Sequence, residues 1–239
     1  MKTFKTLALS TLLTSGLSTL VMAENSGVYT SIGFQYSQLR LTTTNTDRIR
    51  NPSPALVDVI PNRITMGNMY GFGINIGYKH FFGKEKRNGL RYYAFYDYAY
   101  SNPYYNNSQD NLGRTNNNVY GVGFDYLFNF VNKDDVQAGL FFGVAIAGSS
   151  WSSAMQSQGT CAKNDDYCRN NFTYVQVPLQ WGIRTNVSKH NGFEIGMKVP
   201  LVQNYWLKVG SQKGANGDTL ASVTYKRSVV FYLNYVYSF

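Results

Sequence analysis

The sequence predicts an all-β chain: an eight-stranded antiparallel transmembrane β-barrel, wound as an up-and-down meander. Three observations carry this. Charged residues make up only 15% of the 239, well under the ~25% of an average soluble domain. Aromatics reach 16%, with 20 Tyr, 15 Phe and 22 Gly. From Val28 onward, large apolar side chains recur at every second position, the period of a strand. Past the N-terminus the longest apolar run, Ala138–Gly148, is about half of the ~20 residues a helical span needs. A mean hydropathy of −0.29 also speaks against a bundle of membrane helices.

Residues 1–23 are set apart as a secretory signal peptide. Lys2 and Lys5 form a positive start, Leu7–Leu20 an apolar stretch diluted by Ser and Thr, and Val21-Met22-Ala23 a small-residue cleavage site. An N-terminal anchor helix is the alternative, disfavoured because the apolar run is short and no stop-transfer pattern follows. The barrel then occupies residues 24–239.

Each strand follows from alternation. Val28–Gln38 sets Ile32, Phe34 and Tyr36 against Ser31, Gly33 and Gln35. Tyr70–Tyr78 sets Phe72, Ile74 and Ile76 against glycines and Asn75, and Leu90–Tyr100 sets Tyr92, Tyr96 and Tyr98 against Arg91 and Asp97. Asn118–Phe130 opposes Tyr120, Val122 and Phe124 to Gly121, Gly123 and Asp125, and Val136–Ile146 opposes Leu140, Phe142 and Val144 to Gln137 and Gly143. In Thr173–Ile183, Phe193–Leu201 and Val223–Phe239 the apolar positions are odd-numbered. A soluble β-sandwich would alternate too, but its solvent face would carry Lys, Glu and Thr instead of Tyr, Phe and Ile. Ten residues at ~3.3 Å, tilted ~40°, span about 25 Å, the height of an outer-membrane apolar band.

Connections alternate as well. Long ones are expected at about 41–67, 101–117, 150–171 and 202–222, short ones at about 81–89, 131–135 and 186–191. Barrels of this kind keep short turns in the periplasm and long loops outside, so both termini are expected to be periplasmic.

The segments Ala23-Glu24-Asn25-Ser26-Gly27-Val28-Tyr29-Thr30-Ser31-Ile32-Gly33, Gly89-Leu90-Arg91-Tyr92-Tyr93-Ala94-Phe95-Tyr96-Asp97-Tyr98, Tyr120-Gly121-Val122-Gly123-Phe124-Asp125, Gly139-Leu140-Phe141-Phe142-Gly143 and Tyr235-Val236-Tyr237-Ser238-Phe239 resemble the Helicobacter outer-membrane protein superfamily, the Hop/Hor porins and adhesins. The resemblance covers nearly every strand but few loops. It implies an outer-membrane barrel, some relatives being porins and others adhesins for host glycans. No adhesin-like insert of several hundred residues separates the first two strands, so no glycan-binding residue carries over.

Chemistry is notable for what the sequence lacks. The two histidines, His80 and His190, fall at the short-turn end, so neither can activate a nucleophile at the outer rim. No metal-ligand spacing appears, Gly71-Phe72-Gly73 and Gly121-Val122-Gly123 open no helix, and no enzyme, cofactor or metal is expected. The net charge of +9 is scattered, not clustered, which argues against nucleic acid and suits lipopolysaccharide phosphate. Cys161 and Cys168, seven apart in one long loop, read as a disulfide in an exported chain; a metal site is the weaker alternative.

Parity places Lys79, Arg91, Asp97, Asp125, Arg184, Glu194, Lys198 and Lys226 inside the lumen, with Gln35, Asn75, Gln137, Gln176 and Gln180 between them. Such charges must be paired or hydrated, and Arg184 with Glu194 is the best direct cross-strand candidate. The same parity puts Arg227 outside, against lipopolysaccharide phosphate. Tyr235, Tyr237 and Phe239 resemble the terminal signature read by the barrel-assembly machinery, and an aromatic girdle would look alike. Since eight strands leave an interior that side chains roughly fill, a display protein is favoured, its loops meeting envelope components or a host surface ligand. The alternative is a small porin.

Overall fold

The computed structural model describes residues 26–45, 62–101, 114–132, 136–153, 161 and 165–239. The signal-peptide segment lies outside them. Five unbroken strands come first: β1 (Gly27–Asn45), β2 (Arg63–Phe82), β3 (Asn88–Ser101), β4 (Thr115–Asn132) and β5 (Gln137–Ser153). The remaining strands join into three further staves: β6 (Cys168–Asn170) with β7 (Thr173–Gln176) and β8 (Pro178–Asn186), β9 (Asn191–Pro200) with β10 (Asn204–Gln212), and β11 (Asn216–Arg227) with β12 (Val230–Ser238). Every pairing is antiparallel and β12 closes on β1 from Ser238↔Tyr29 to Phe231↔Tyr36, so the eight predicted strands form a closed barrel.

Each break in a stave has a local cause. Pro178 and Pro200 stand opposite one another in the β8–β9 register, and neither can donate to a ladder. The Gln176 side chain repairs the gap: its carbonyl oxygen accepts from the Val177 and Val202 amides at 2.9 and 2.8 Å, and its Nε2 donates to the Val202 carbonyl at 2.8 Å. The last stave breaks at a bulge. Between Tyr36 and Leu39 β1 advances three residues while its partner runs four, from Phe231 to Arg227. Ser228 absorbs the surplus residue, donating its amide to the Gln38 carbonyl and accepting the Gln38 amide on its hydroxyl, both at 2.8 Å.

This bulge corrects two expectations. One extra residue inverts parity, so above it the odd positions face inward. Arg227 is buried and Lys226 is exposed, the reverse of the sequence reading. A further correction concerns the segment 202–222, expected as a loop; it is almost wholly β10 and β11, joined through a short turn with Gly214 and Gly217 at positive φ. β1 and β2 likewise run 19 and 20 residues, about twice the membrane-spanning length.

Inside, size is handled by glycine. Phe81 faces Gly89, Tyr93 faces Gly123, Phe95 faces Gly121, Phe141 faces Gly182 and Tyr232 faces Gly196 across the ladders. A Cβ on Gly123 would collide with the Tyr93 ring, and one on Gly196 with Tyr232. These inward glycines and large aromatic rings are therefore two halves of one packing device in a narrow tube.

Outside, tyrosine–asparagine pairs rim the apolar band. Tyr36, Tyr96 and Tyr98 donate to Asn68, Asn118 and Asn116 at 3.0, 2.7 and 3.1 Å on the upper edge. Tyr126 donates to Asn88 at 2.6 Å, and Tyr235 to Asn191, on the lower. Asn88 lies opposite Phe128, ten residues below Asn118 on β4, a rise of about 25 Å at ~40° tilt. That is the height of an outer-membrane hydrocarbon band, and tyrosines at both edges suit its interfaces.

Candidate functional site

The lumen holds the chain's buried charge. Arg91 is its hub. It donates to Asp125 from Nε at 2.8 Å and from Nη2 at 2.6 Å, and from Nη1 to Glu194. Its guanidinium lies 5.0–5.6 Å from the Tyr29, Tyr93 and Phe141 rings, so aromatic faces complete the solvation that water would supply. Asp125 also accepts from Gln180 at 2.8 Å and from the Tyr93 hydroxyl at 3.3 Å.

Higher up, Asp97 accepts from Lys198 at 2.8 Å and Gln35 at 2.5 Å. Gln35 in turn accepts from Arg227 at 3.0 Å, and the Arg227 Nε donates to Ser37 at 2.7 Å. Lys79 donates to Ser238 at 2.9 Å. Arg184 stands opposite Glu194 in register and donates to Asn129, while Glu194 pairs with Arg91. Of the predicted lumen charges, Lys79, Arg91, Asp97, Asp125, Arg184, Glu194 and Lys198 are buried inside; Lys226 is outside, and Arg227 takes an inward place that the sequence reading missed.

Apolar clusters stand inside the tube at different heights. Phe81, Leu127, Phe141 and Tyr232 cluster below, Tyr29, Tyr93, Phe95 and Val236 in the middle. Above the membrane band, Leu39, Met69, Trp151, Trp206, Leu207 and Tyr225 form a plug, with the Trp206 ring 4.9 Å from Tyr225 and 4.4 Å from Phe172. Two of the interior hollows among the described residues measure about 10 and 30 Å³, the larger with room for a single water. Wider hollows of about 650 and 750 Å³ lie on the outer wall between side chains such as Val122 and Ile146, or Ile183 and Ile195, and face lipid.

The disulfide of the cysteine loop lies against the plug. Cys161 and Cys168 are joined, Cα atoms 5.5 Å apart, and both pack on the plug. The loop docks on the β10–β11 hairpin: Gly210 and Gly214 donate their amides to the Tyr167 and Asp166 carbonyls at 2.9 and 2.6 Å. Lys213 meets the Asp166 carboxylate at 3.0 Å, which holds the lysine pKa above its ordinary value. In the chain-entropy picture, closing so short a ring constrains the unfolded chain by about 2–3 kcal/mol. Replacing both cysteines by serine is therefore expected to lower stability by about that much in guanidine titrations of detergent-refolded protein, with the folded, heat-modifiable band still formed. An unchanged midpoint would contradict this.

No group of His, Cys, Asp and Glu among the described residues could hold a metal ion. His190 Nδ1 lies 2.6 Å from the Ser238 carbonyl and His80 packs on Phe82, both at the short-turn end.

The match to known proteins decides the family. The Helicobacter outer membrane protein family profile matches residues 73–239, from the middle of β2 to the last residue. The chain belongs to the Helicobacter outer membrane protein family. No curated protein matches its sequence. Among solved structures, the outer membrane protein OprG from Pseudomonas aeruginosa is 10% identical with a TM-score of 0.53, covering 92% of this chain and 99% of that one. Neisserial surface protein A is 15% identical (TM-score 0.36; 90% and 100% covered), and Ail of Yersinia pestis 13% (TM-score 0.36; 90% and 99% covered). The likeness to OprG shows the fold. As a member of this family, the chain is an outer-membrane β-barrel whose apolar wall faces lipid and whose buried charges lie inside the tube.

Proposed function

We propose that this barrel works by its surface and not as a pore: it displays the cysteine loop and the β10–β11 hairpin outside the cell, where they meet envelope or host components. The observation that supports this most is how the lumen is packed, with the ion pairs of Arg91 and Lys198 and three apolar clusters standing across it. The porin alternative draws on the surplus of inward cations, with Lys79, Arg91, Arg184, Lys198 and Arg227 against Asp97, Asp125 and Glu194. A filled tube gives that surplus a structural use, each cation resting on a carboxylate, an amide, a hydroxyl or a ring. No catalytic role is assigned.

In this reading the short turns and both termini are periplasmic. Tyr235, Tyr237 and Phe239 point outward at that end, and the Phe239 amide donates to the Val28 carbonyl at 3.0 Å, sealing the seam. They are proposed as the signal for the barrel-assembly machinery. The test is an epitope inserted between Gln212 and Lys213, both exposed at the tip of the hairpin. Antibody is expected to label intact cells as strongly as permeabilised ones. Labelling only after permeabilisation would overturn the orientation and, with it, the display reading.

A further inference from the structure

Beyond the lumen, the outer wall carries an arrangement that the barrel itself does not need. Arg40 on β1 and Lys226 on β11 are directly opposite in the ladder, and both are exposed. Side chains in that relation have Cβ atoms about 5 Å apart, and like charges so placed repel. Among the described residues neither has an acidic neighbour: Asp97, Asp125 and Glu194 are inside, Glu85 sits in the turn after β2, and Asp165, Asp166 and Asp218 lie in or beside the cysteine loop and hairpin. The pair also has a fixed height. Gln38 faces Asn68, the acceptor of the upper Tyr36 rim bond, and Arg40 is two residues above Gln38, about 5 Å beyond the hydrocarbon edge.

A second pair repeats the pattern. Lys208 on β10 is opposite Arg169 on β6, level with Ser222 and so four residues above Lys226. The four cations stand on four consecutive staves, in the order β1, β11, β10, β6. Lys208 is half-buried and Arg169 exposed, and the outward-facing Thr224 and Ser222 between the two pairs are buried, so the pairs are two patches, one at headgroup level and one farther from the membrane.

We propose that Arg40 and Lys226 form a binding site for a phosphate of the phosphorylated glycolipid that makes up the outer leaflet, with Lys208 and Arg169 receiving anionic groups of the same molecule further from its acyl chains. A guanidinium presents a planar fork to phosphate and an ammonium a point charge. One phosphate between them turns a repulsive cross-strand contact into a bridge. The inference rests on the orientation proposed above, with the hairpin end outside.

The test uses the mature chain refolded in a neutral maltoside detergent and native mass spectrometry to count retained lipid. The probes are bisphosphorylated lipid A, its dephosphorylated form and inorganic phosphate. Wild type is expected to retain lipid A about tenfold better than the dephosphorylated lipid, and R40Q/K226Q to lose about tenfold, with K84Q, in the turn at the opposite end, unchanged. The single variant Arg40→Glu separates binding from folding. It should lose lipid A retention, yet unfold at a higher temperature in glycolipid-free detergent, because the pair becomes attractive. Equal retention of lipid A by all folded variants, or equal retention of both lipids by wild type, would overturn the site. Displacement by inorganic phosphate at equal concentration would overturn the glycolipid as its source. Loss in K84Q with the double variant unaffected would overturn the orientation as well.

Discussion

Replacing Arg91 with methionine is expected to cost the folded barrel about 3–5 kcal/mol, the penalty for leaving a buried charge without its partner. Arg91 is the cation between two inward carboxylates, Asp125 and Glu194, on staves that are not neighbours. Methionine keeps most of the stem's packing against Tyr29 and Phe141 but leaves both acids facing each other in a narrow tube. Gln180 and Tyr93 still donate to Asp125, so that acid keeps part of its solvation and Glu194 bears more of the loss. Guanidine titration of refolded protein, read by heat modifiability, measures the effect. Neutralising the acids in the same background, with Asp125→Asn and Glu194→Gln, is expected to restore most of it. That asymmetry separates an ionic hub from simple packing, because three substitutions would then be milder than one. A loss below about 1 kcal/mol in the single variant would put Arg91 in the class of exposed, solvated ion pairs.

Much of this interior was legible in the sequence because period-two alternation assigns a face to every residue of a regular strand. Asp97, Asp125 and Glu194 could be placed inside from parity alone, and so could the cations that meet them. The partners could not. Arg184 and Glu194 are opposite in register as expected, but the ion pair of Glu194 with Arg91 crosses the lumen between residues 103 positions apart, a relation that only barrel closure creates. Parity also failed where the chain adds a residue. Nothing in Arg227-Ser228-Val229 marks a bulge; it shows only when the last stave is counted against β1.

The part of the barrel above the membrane was hidden for a different reason. Up to Tyr36 the apolar residues of β1 other than Tyr29 point outward, whereas beyond it Leu39 and Leu41 point inward and Arg40 and Thr42 outward. The wall changes solvent from lipid to water, and its hydrophobic pattern changes face with it. A search for apolar-out strands therefore stops at the rim and leaves the rest as loop, which is how Trp206 and Leu207 came to be missed as part of the plug; Tyr225, inside the expected last strand, was turned outward by the parity that the bulge inverts.

That plug and the ionic layers below it make the central claim measurable. On the proposed filled lumen, purified, monodisperse protein inserted in planar bilayers should give no stable openings under applied voltage, with Arg91, Lys198 and the Trp151–Tyr225 stack, whose rings are 5.6 Å apart, standing across the tube. The Arg91→Met variant, if it inserts, should be equally silent, since the apolar layers remain. Stable, ohmic openings of nanosiemens size in wild-type protein, selective for anions as the surplus of inward cations would dictate, would contradict a filled lumen and make the protein a pore.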